Sequence, residues 1–164
     1  MSEPAFGSKP TFASNGGLDL SVSPDKQAFT ITCSDVEVIA DAGGPAPIAT
    51  RVVSVVIPAE GLDDGVEISF RASGFAFVTE GAAGLAMIIV NGDAGIEHLR
   101  PGTDNEFMQE LTVDGSGASE CRLSVVLIAE RDSGKPDAIA RLNILSIDGE
   151  ISRRAGQKMP ATGM

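Results

Sequence analysis

Catalysis by a histidine-assisted nucleophile is the first chemistry that the residue types could support. His98 is the only histidine, so a Ser or Cys nucleophile that needs an imidazole base would have to use it. It lies between Glu97 and Leu99 in a predicted short strand, and the chain has no G-x-S-x-G motif. A site with several histidine ligands is impossible with one histidine. We therefore interpret His98 as a surface or turn residue.

Pairs of carboxylates could support glycoside hydrolysis, and the chain has 23 Asp and Glu residues. That reaction needs two carboxyl groups facing each other across a cleft. Such clefts usually present aromatic platforms to the sugar, yet the chain contains neither Trp nor Tyr. The phosphate-binding patterns GxGxxG and GxxxxGK[ST] do not occur either. We predict no enzymatic activity and no catalytic residues.

The acidic segments are interpreted as ordinary turns, and calcium binding is the alternative use of their oxygen atoms. Hard oxygen donors on loops suit Ca²⁺, but the EF-hand pattern is absent, and Asn and Asp are also ordinary turn formers. We predict no cofactor, with Ca²⁺ as the alternative. The candidate segments are Asp63-Asp64, Asn91 with Asp93, and Asp104-Asn105.

The two cysteines do not have the spacing of a metal site. Cys33 and Cys121 lie far apart in strand-like, apolar surroundings, and no C-x-x-C motif occurs. Two buried free thiols are the favoured interpretation, and one disulfide is the alternative. Zinc is disfavoured.

The net charge of −11 argues against a nucleic-acid partner, because binding to phosphates normally requires a basic patch. Arg153, Arg154 and Lys158 form the one basic cluster, which we interpret as a solvated tail. No segment approaches 18 apolar residues, so we expect no membrane insertion. The N-terminus lacks the basic start and apolar core of a secretory signal. We therefore expect a cytoplasmic or particle-associated protein.

Alternation of apolar and polar residues with period two predicts that strands position these groups. The alternation is clearest over residues 66–72 and 121–129. Residues 85–90 are apolar throughout, which predicts a central strand covered on both faces. The pair Asn91-Gly92 that follows is a favoured hairpin turn.

The same pattern predicts where strands bend and end. Residues 29–33 and 36–38 alternate on opposite phases, so a bulge is expected near Ser34 or Asp35. Other strand-breaking residues interrupt the apolar runs. We expect strands to end or break at Pro58, Gly74 and Asp148-Gly149.

Eight or nine short strands result, separated by clusters of Gly, Pro, Asn and Asp, with no capped helical periodicity. This predicts an all-β fold, an antiparallel two-sheet β-sandwich that is jelly-roll-like and has little helix. Phe29, Phe70 and Phe107 fall on the core phases. The strand pattern resembles that of sugar-binding jelly rolls, without a motif specific to that family. The predicted units are an extended arm (1–24), the sandwich domain (25–151) and a polar tail (152–164).

Phe6 and Phe12 are apolar anchors in the otherwise polar arm. They predict that the arm docks either on its own domain or on a neighbour, so both are candidate interface residues. The favoured function is a non-enzymatic structural or assembly protein that associates through this arm with itself or another protein. It would form a homo-oligomer or part of a larger particle, as capsid-associated decoration proteins do. The alternative is a carbohydrate- or ligand-binding module, with Ca²⁺ as an assisting ion and Phe replacing Trp and Tyr.

Overall fold

The computed structural model describes residues 3–7, 9–12, 17–41 and 47–153. These residues form strands and turns and contain no helix, so none of them belongs to a helix able to cross a membrane. The strands are β1 (Ala5–Phe6), β2 (Thr11–Phe12), β3 (Leu18–Val22), β4 (Ala28–Ala40), β5 (Ile48–Glu60), β6 (Val66–Val78), β7 (Ala82–Val90), β8 (Asp93–Leu99), β9 (Asp104–Asp114), β10 (Glu120–Arg131) and β11 (Ala140–Arg153).

Two antiparallel sheets pack face to face around the core. Sheet I has the order β1-β5-β10-β7-β8, with β2 also paired to β5, and sheet II has the order β3-β4-β11-β6-β9. The predicted all-β, two-sheet architecture is therefore confirmed. The partial orders β4-β11-β6-β9 and β5-β10-β7-β8 are compatible with a jelly roll.

The core lies between the sheets and consists of the inward-facing half of each strand. Phe29, Phe70 and Phe107 were expected there, and they are 2%, 2% and 8% exposed. Phe29 lies at the centre of an aromatic group, with its ring 4.9 Å from that of Phe6 and 6.0 Å from that of Phe70. The rest of the core is mainly Val, Ile, Leu and Ala.

The predicted bulge near Ser34 or Asp35 is confirmed. Both residues are exposed, while Cys33 and Val36 on either side of them are buried. The pairing of β4 with β11 shifts register between Ile144 and Ser146 at the same level. The extra residues change the phase of β4, so apolar side chains on both sides of the bulge face the core.

Pro58 does not end its strand, contrary to our expectation, because β5 continues to Glu60. The Pro58 carbonyl accepts a hydrogen bond from the backbone N–H of Gly7 at 2.7 Å. In an antiparallel strand the N–H and C=O of one residue point to the same side. The missing N–H of Pro58 therefore faces the arm and costs no hydrogen bond to β10.

The expected break at Gly74 and the expected end at Asp148-Gly149 are also wrong, since these residues lie inside β6 and β11. A Cβ at Gly74 would overlap the carbonyl oxygen of Asn143, and a Cβ at Gly149 would overlap the Phe29 ring. Both glycines therefore allow a close approach that a larger residue would prevent. A local pattern cannot distinguish this use of glycine from a turn.

The hairpin at Asn91-Gly92 is confirmed, with positive φ values of 49° and 93° joining β7 to β8. The prediction for residues 85–90 is correct in part. These residues form a paired strand between β10 and β8, and their inner side chains are in the core. On the outer face, Leu85, Met87 and Ile89 are half-buried, and no other layer formed by the described ranges covers them.

The predicted arm includes β1, β2 and β3, which all pair with the sandwich. The first two pair with β5 and the third with β4. At the other end, β11 extends to Arg153. Arg154 and Lys158 of the predicted basic tail lie outside the described residues.

Candidate binding surfaces

The outer face of sheet I carries rows of apolar side chains across four strands. The middle row runs Val52–Val126–Met87–Ile96, from β5 through β10 and β7 to β8. We call this row and its two neighbouring rows the apolar face. The neighbouring rows are Thr50–Ile128–Leu85–His98 and Ser54–Ser124–Ile89–Ala94.

No position of the apolar face holds Asp, Glu, Lys or Arg. Val52 and Ile96, at its opposite edges, are each 49% exposed, and Val126 and Met87 between them are half-buried. The Ser54 and Ser124 hydroxyls are 2.9 Å apart and hydrogen-bond each other. The face therefore presents a mainly apolar surface, and the two serine hydroxyls in one of its outer rows already bind each other.

The outer face of sheet II is different because a row of charged and hydroxyl side chains crosses it. The Thr30 hydroxyl donates a hydrogen bond to Asp148 Oδ1 at 2.6 Å. Arg71 donates from Nε to Glu110 Oε1 at 3.0 Å, and its second nitrogen lies 2.9 Å from the same oxygen. Asp148 and Arg71 are directly opposite each other on β11 and β6. Opposite charges alternate along this row, so its groups largely satisfy one another.

Further along the same face, Phe75 and Phe77 line an open groove of about 320 Å³. Phe75 is 40% exposed, and Phe77 is half-buried. We call this the aromatic groove. Its other lining residues are Glu37, Ile139, Arg141 and Asn143.

Polar groups of the aromatic groove are close to its rings. The Asn143 Oδ1 atom accepts a hydrogen bond from the backbone N–H of Phe75 at 2.8 Å. Arg141 Nη2 lies 3.4 Å from Glu37 Oε1, and both side chains are partly exposed. The groove therefore combines aromatic surface with donors and acceptors.

The predicted interface residues Phe6 and Phe12 contact their own domain in this chain. Phe6 is 1% exposed and is part of the core, where its ring packs edge-on against Phe29. Phe12 is partly buried against the core. Of the two docking modes left open by the sequence, the structure shows the arm on its own domain. An interface with a neighbour through these residues stays a prediction.

His98 is exposed on the edge strand β8, as the sequence indicated, and it lies at the end of one outer row of the apolar face. Its row neighbour is Leu85, so it has no acidic or nucleophilic residue directly opposite.

Two of the candidate acidic segments make contacts within the fold, through Asp63 and Asn91. Asp63 forms an ion pair with Arg153 at 3.0 Å. The Asn91 side chain accepts from the Arg122 N–H at 2.8 Å and donates to the Glu120 carbonyl at 3.3 Å. Within the described ranges, no three His, Cys, Asp or Glu side chains come together in a way that could hold a metal. The prediction of no cofactor, with Ca²⁺ as its alternative, stays a prediction.

Cys33 and Cys121 are buried free thiols, as favoured from the sequence. Burial raises the pKa of the Cys33 thiol from 9.0 to about 11. Burial, with a smaller contribution from the Glu120 carboxylate, raises that of Cys121 to about 12. A protonated, enclosed thiol is a poor nucleophile and a poor metal ligand, so neither cysteine is a candidate site.

Sequence analysis did not identify the residues of either outer face as functional. The signal for the apolar face was present, because β7 and the middle of β10 are apolar on both phases. Phe75 and Phe77 were missed because Gly74 was interpreted as a break. Continuing the alternation of residues 66–72 through Gly74 places both rings on the outer face.

Comparison with known proteins gives little further information. No protein-family model matches the chain, and no curated protein matches it significantly. Among solved structures, the enzymatically active domain of tailspike protein 4 from bacteriophage CBA120 is similar over 84% of this chain, at 13% identity and a TM-score of 0.31. The chain spans 19% of that structure's length. A similarity this low supports no inference about activity.

Proposed function

We propose that this protein is a non-enzymatic structural or assembly component that packs against copies of itself through the apolar face. The observation that supports this most directly is the absence of charge across that face. The chain has 23 Asp and Glu residues, yet no Asp, Glu, Lys or Arg lies in its three rows. Exposed apolar patches of this kind are typical of interaction sites.

A second copy of the chain is the partner that this surface fits best. With a net charge of −11, two copies repel each other wherever carboxylates meet. Two apolar faces can approach without that repulsion, and a symmetric dimer places the same surface on both sides. Sheets stack face to face about 10 Å apart in many sandwiches, so such a contact is geometrically ordinary.

The apolar face is large enough to form the centre of a dimer interface. Its three rows cover five residues of each strand, about 17 Å, and four strands about 4.8 Å apart give a projected area of roughly 300 Å². Each partner contributes ~800 Å² to a standard interface, so a dimer interface of that size would extend beyond these three rows. A larger particle would need a second surface in addition, because a symmetric pair closes on itself.

Association through the arm is a separate route to the same function. Because Phe6 is 1% exposed on its own domain, the arm would have to leave that site and dock in the same site of a neighbouring copy. Exchange of this kind adds no contact that the single chain lacks. The apolar face offers new contacts, so we favour it.

The test is the mass in solution, measured by light scattering over a series of concentrations. The chain has a mass of 16.8 kDa, and the wild type is expected at twice that value or more. Val126→Glu places a carboxylate at the centre of the face and should give the monomer mass. A buried, unpaired charge in an interface costs several kcal/mol.

Ser146→Glu is the matched control, since it places a carboxylate on the outer face of β11, the middle strand of sheet II. It should leave the oligomer intact. A monomeric wild type at the highest concentration would refute assembly. An oligomer unaffected by Val126→Glu would refute the apolar face but leave assembly through another surface.

A further inference from the structure

The aromatic groove on sheet II has features that assembly through sheet I does not explain. Phe75 and Phe77 are two residues apart on β6, and both point outward because β6 keeps one phase from Val66 to Val78. Four of the other phenylalanines, Phe6, Phe29, Phe70 and Phe107, are buried. Two adjacent rings on the outer face are therefore an exception within this chain.

The polar groups beside the rings can both donate and accept hydrogen bonds. Asn143 uses its carbonyl oxygen to bind the Phe75 N–H, so its amide N–H groups are available to a ligand. Glu37 and Arg141 are joined by one 3.4 Å contact, with side chains 37% and 55% exposed. A pair this long and exposed contributes little to stability, so both groups can bind a ligand at little cost.

The charge around the groove excludes an anionic ligand. Glu37 offsets Arg141, and the next strand places Asp104 opposite Phe77 and Glu106 opposite Phe75. The surroundings are therefore net negative and would repel phosphates, acidic sugars and nucleic acids. A purely apolar ligand is also disfavoured, because it would desolvate the polar groups without replacing their hydrogen bonds to water.

We infer that the aromatic groove binds a neutral saccharide. A sugar ring has an apolar C–H face that can lie on a Phe ring. Its hydroxyls can accept hydrogen bonds from Asn143 and Arg141 and donate one to Glu37. The groove volume of about 320 Å³ is at the lower end of small-molecule sites, which suits one or two sugar units. This binding activity is independent of the assembly function, because it uses the opposite face of the sandwich.

The test is a titration of the full chain, isotope-labelled for NMR, with neutral oligosaccharides. Since the chain has neither Trp nor Tyr, intrinsic fluorescence is unsuitable, whereas amide shifts locate the site. Maltohexaose, cellohexaose, mannohexaose and chitohexaose are the probes, and trigalacturonate is the anionic comparison. At least one neutral probe should shift the amides of residues 75–77 and 141–143 at millimolar concentration. Trigalacturonate should not.

Phe75→Ser should weaken that binding by about 10-fold or more, while Phe75→Tyr should retain it because the ring is kept. Met108→Ser is the matched control, since Met108 is 57% exposed on the adjacent strand β9 and does not line the groove. Thermal melting of each variant checks that it is folded. The inference is wrong if no neutral probe binds, if trigalacturonate binds equally well, or if Phe75→Ser and Met108→Ser have the same effect. Val126→Glu should leave saccharide binding unchanged, which separates this result from the outcome of the assembly test.

Discussion

The two outer faces of the sandwich differ sharply, although the same alternation of residues builds both sheets. On sheet I, the rows through Val126 and Met87 contain no charged side chain. On sheet II, Asp148, Arg71 and Glu110 form one row across β11, β6 and the edge strand β9, with the aromatic groove further along. One face is mainly apolar, and the other carries charged and hydroxyl side chains.

The difference between the faces supports our proposal of a separate role for each. An apolar sheet face gains free energy when another surface removes it from water, by about 25 cal/mol per Å². A face of ion pairs and hydroxyls gains little from burial, because desolvation offsets the new contacts. We therefore place protein association on sheet I and a small polar ligand on sheet II, where the two events do not compete.

The largest expected effect tests the core packing of Gly149 against Phe29, beneath the outer face of sheet II. Gly149→Ala should destabilise the fold by about 2–3 kcal/mol, because its Cβ would overlap the Phe29 ring and force the aromatic group apart. Urea unfolding measures the change. Gly134→Ala, in a loop where the nearest atom would be 3.5 Å away, should change stability by less than about 0.5 kcal/mol. Equal effects would mean that the face does not depend on this contact.

The next prediction concerns the loss of stability at high pH that the two buried thiols cause. Cys33 lies in the core beneath sheet II, and Cys121 lies in the core beneath sheet I. Each pKa is raised in the folded state, to about 11 and about 12. Each thiol therefore keeps its proton more tightly in the folded state than in the unfolded state. Its contribution to the free energy of unfolding is fully present below the unfolded pKa of 9.0 and is lost as the pH rises toward the folded pKa. At about pH 10, each thiol should lower the free energy of unfolding by about 1 kcal/mol.

Urea unfolding at about pH 8 and about pH 10 measures this loss. A variant with both Cys33→Ala and Cys121→Ala should lose less stability between the two pH values. An identical loss in that variant would assign the effect to other groups. In native protein, a thiol reagent should modify Cys33 before Cys121, because Cys33 is 6% exposed and Cys121 is fully buried.

The smallest effect tests whether the charged row of sheet II is structural. Arg71→Gln removes the ion pair to Glu110, whose side chains are 54% and 61% exposed. Exposed pairs contribute little, so the free energy of unfolding should fall by less than about 1 kcal/mol. A loss well above that value, measured by urea unfolding, would show that the row supports the fold and would weaken the contrast between the faces.

Most of the fold could be predicted from the sequence, because alternation records which side chains face a core. Residues 66–72 and 121–129, the bulge near Ser34 and the hairpin at Asn91-Gly92 were predicted correctly. The errors at Pro58, Gly74 and Asp148-Gly149 have one physical origin. These residues disfavour strands locally, but Pro58 has its missing N–H on the side away from β10, and Gly74 and Gly149 lie where a Cβ would overlap a neighbouring strand.

The sequence by itself determined that this chain forms antiparallel strands with an aliphatic core, because period-two alternation and turn residues are local properties. It also determined the acidic charge and the lack of Trp and Tyr. Only the tertiary structure decided that Phe6 belongs to its own core, that Val126 and Met87 lie on an outer face, and that Phe75 lines a groove with Arg141. These facts depend on which strands become neighbours. That choice is made by contacts between residues far apart in the chain, which no local pattern records.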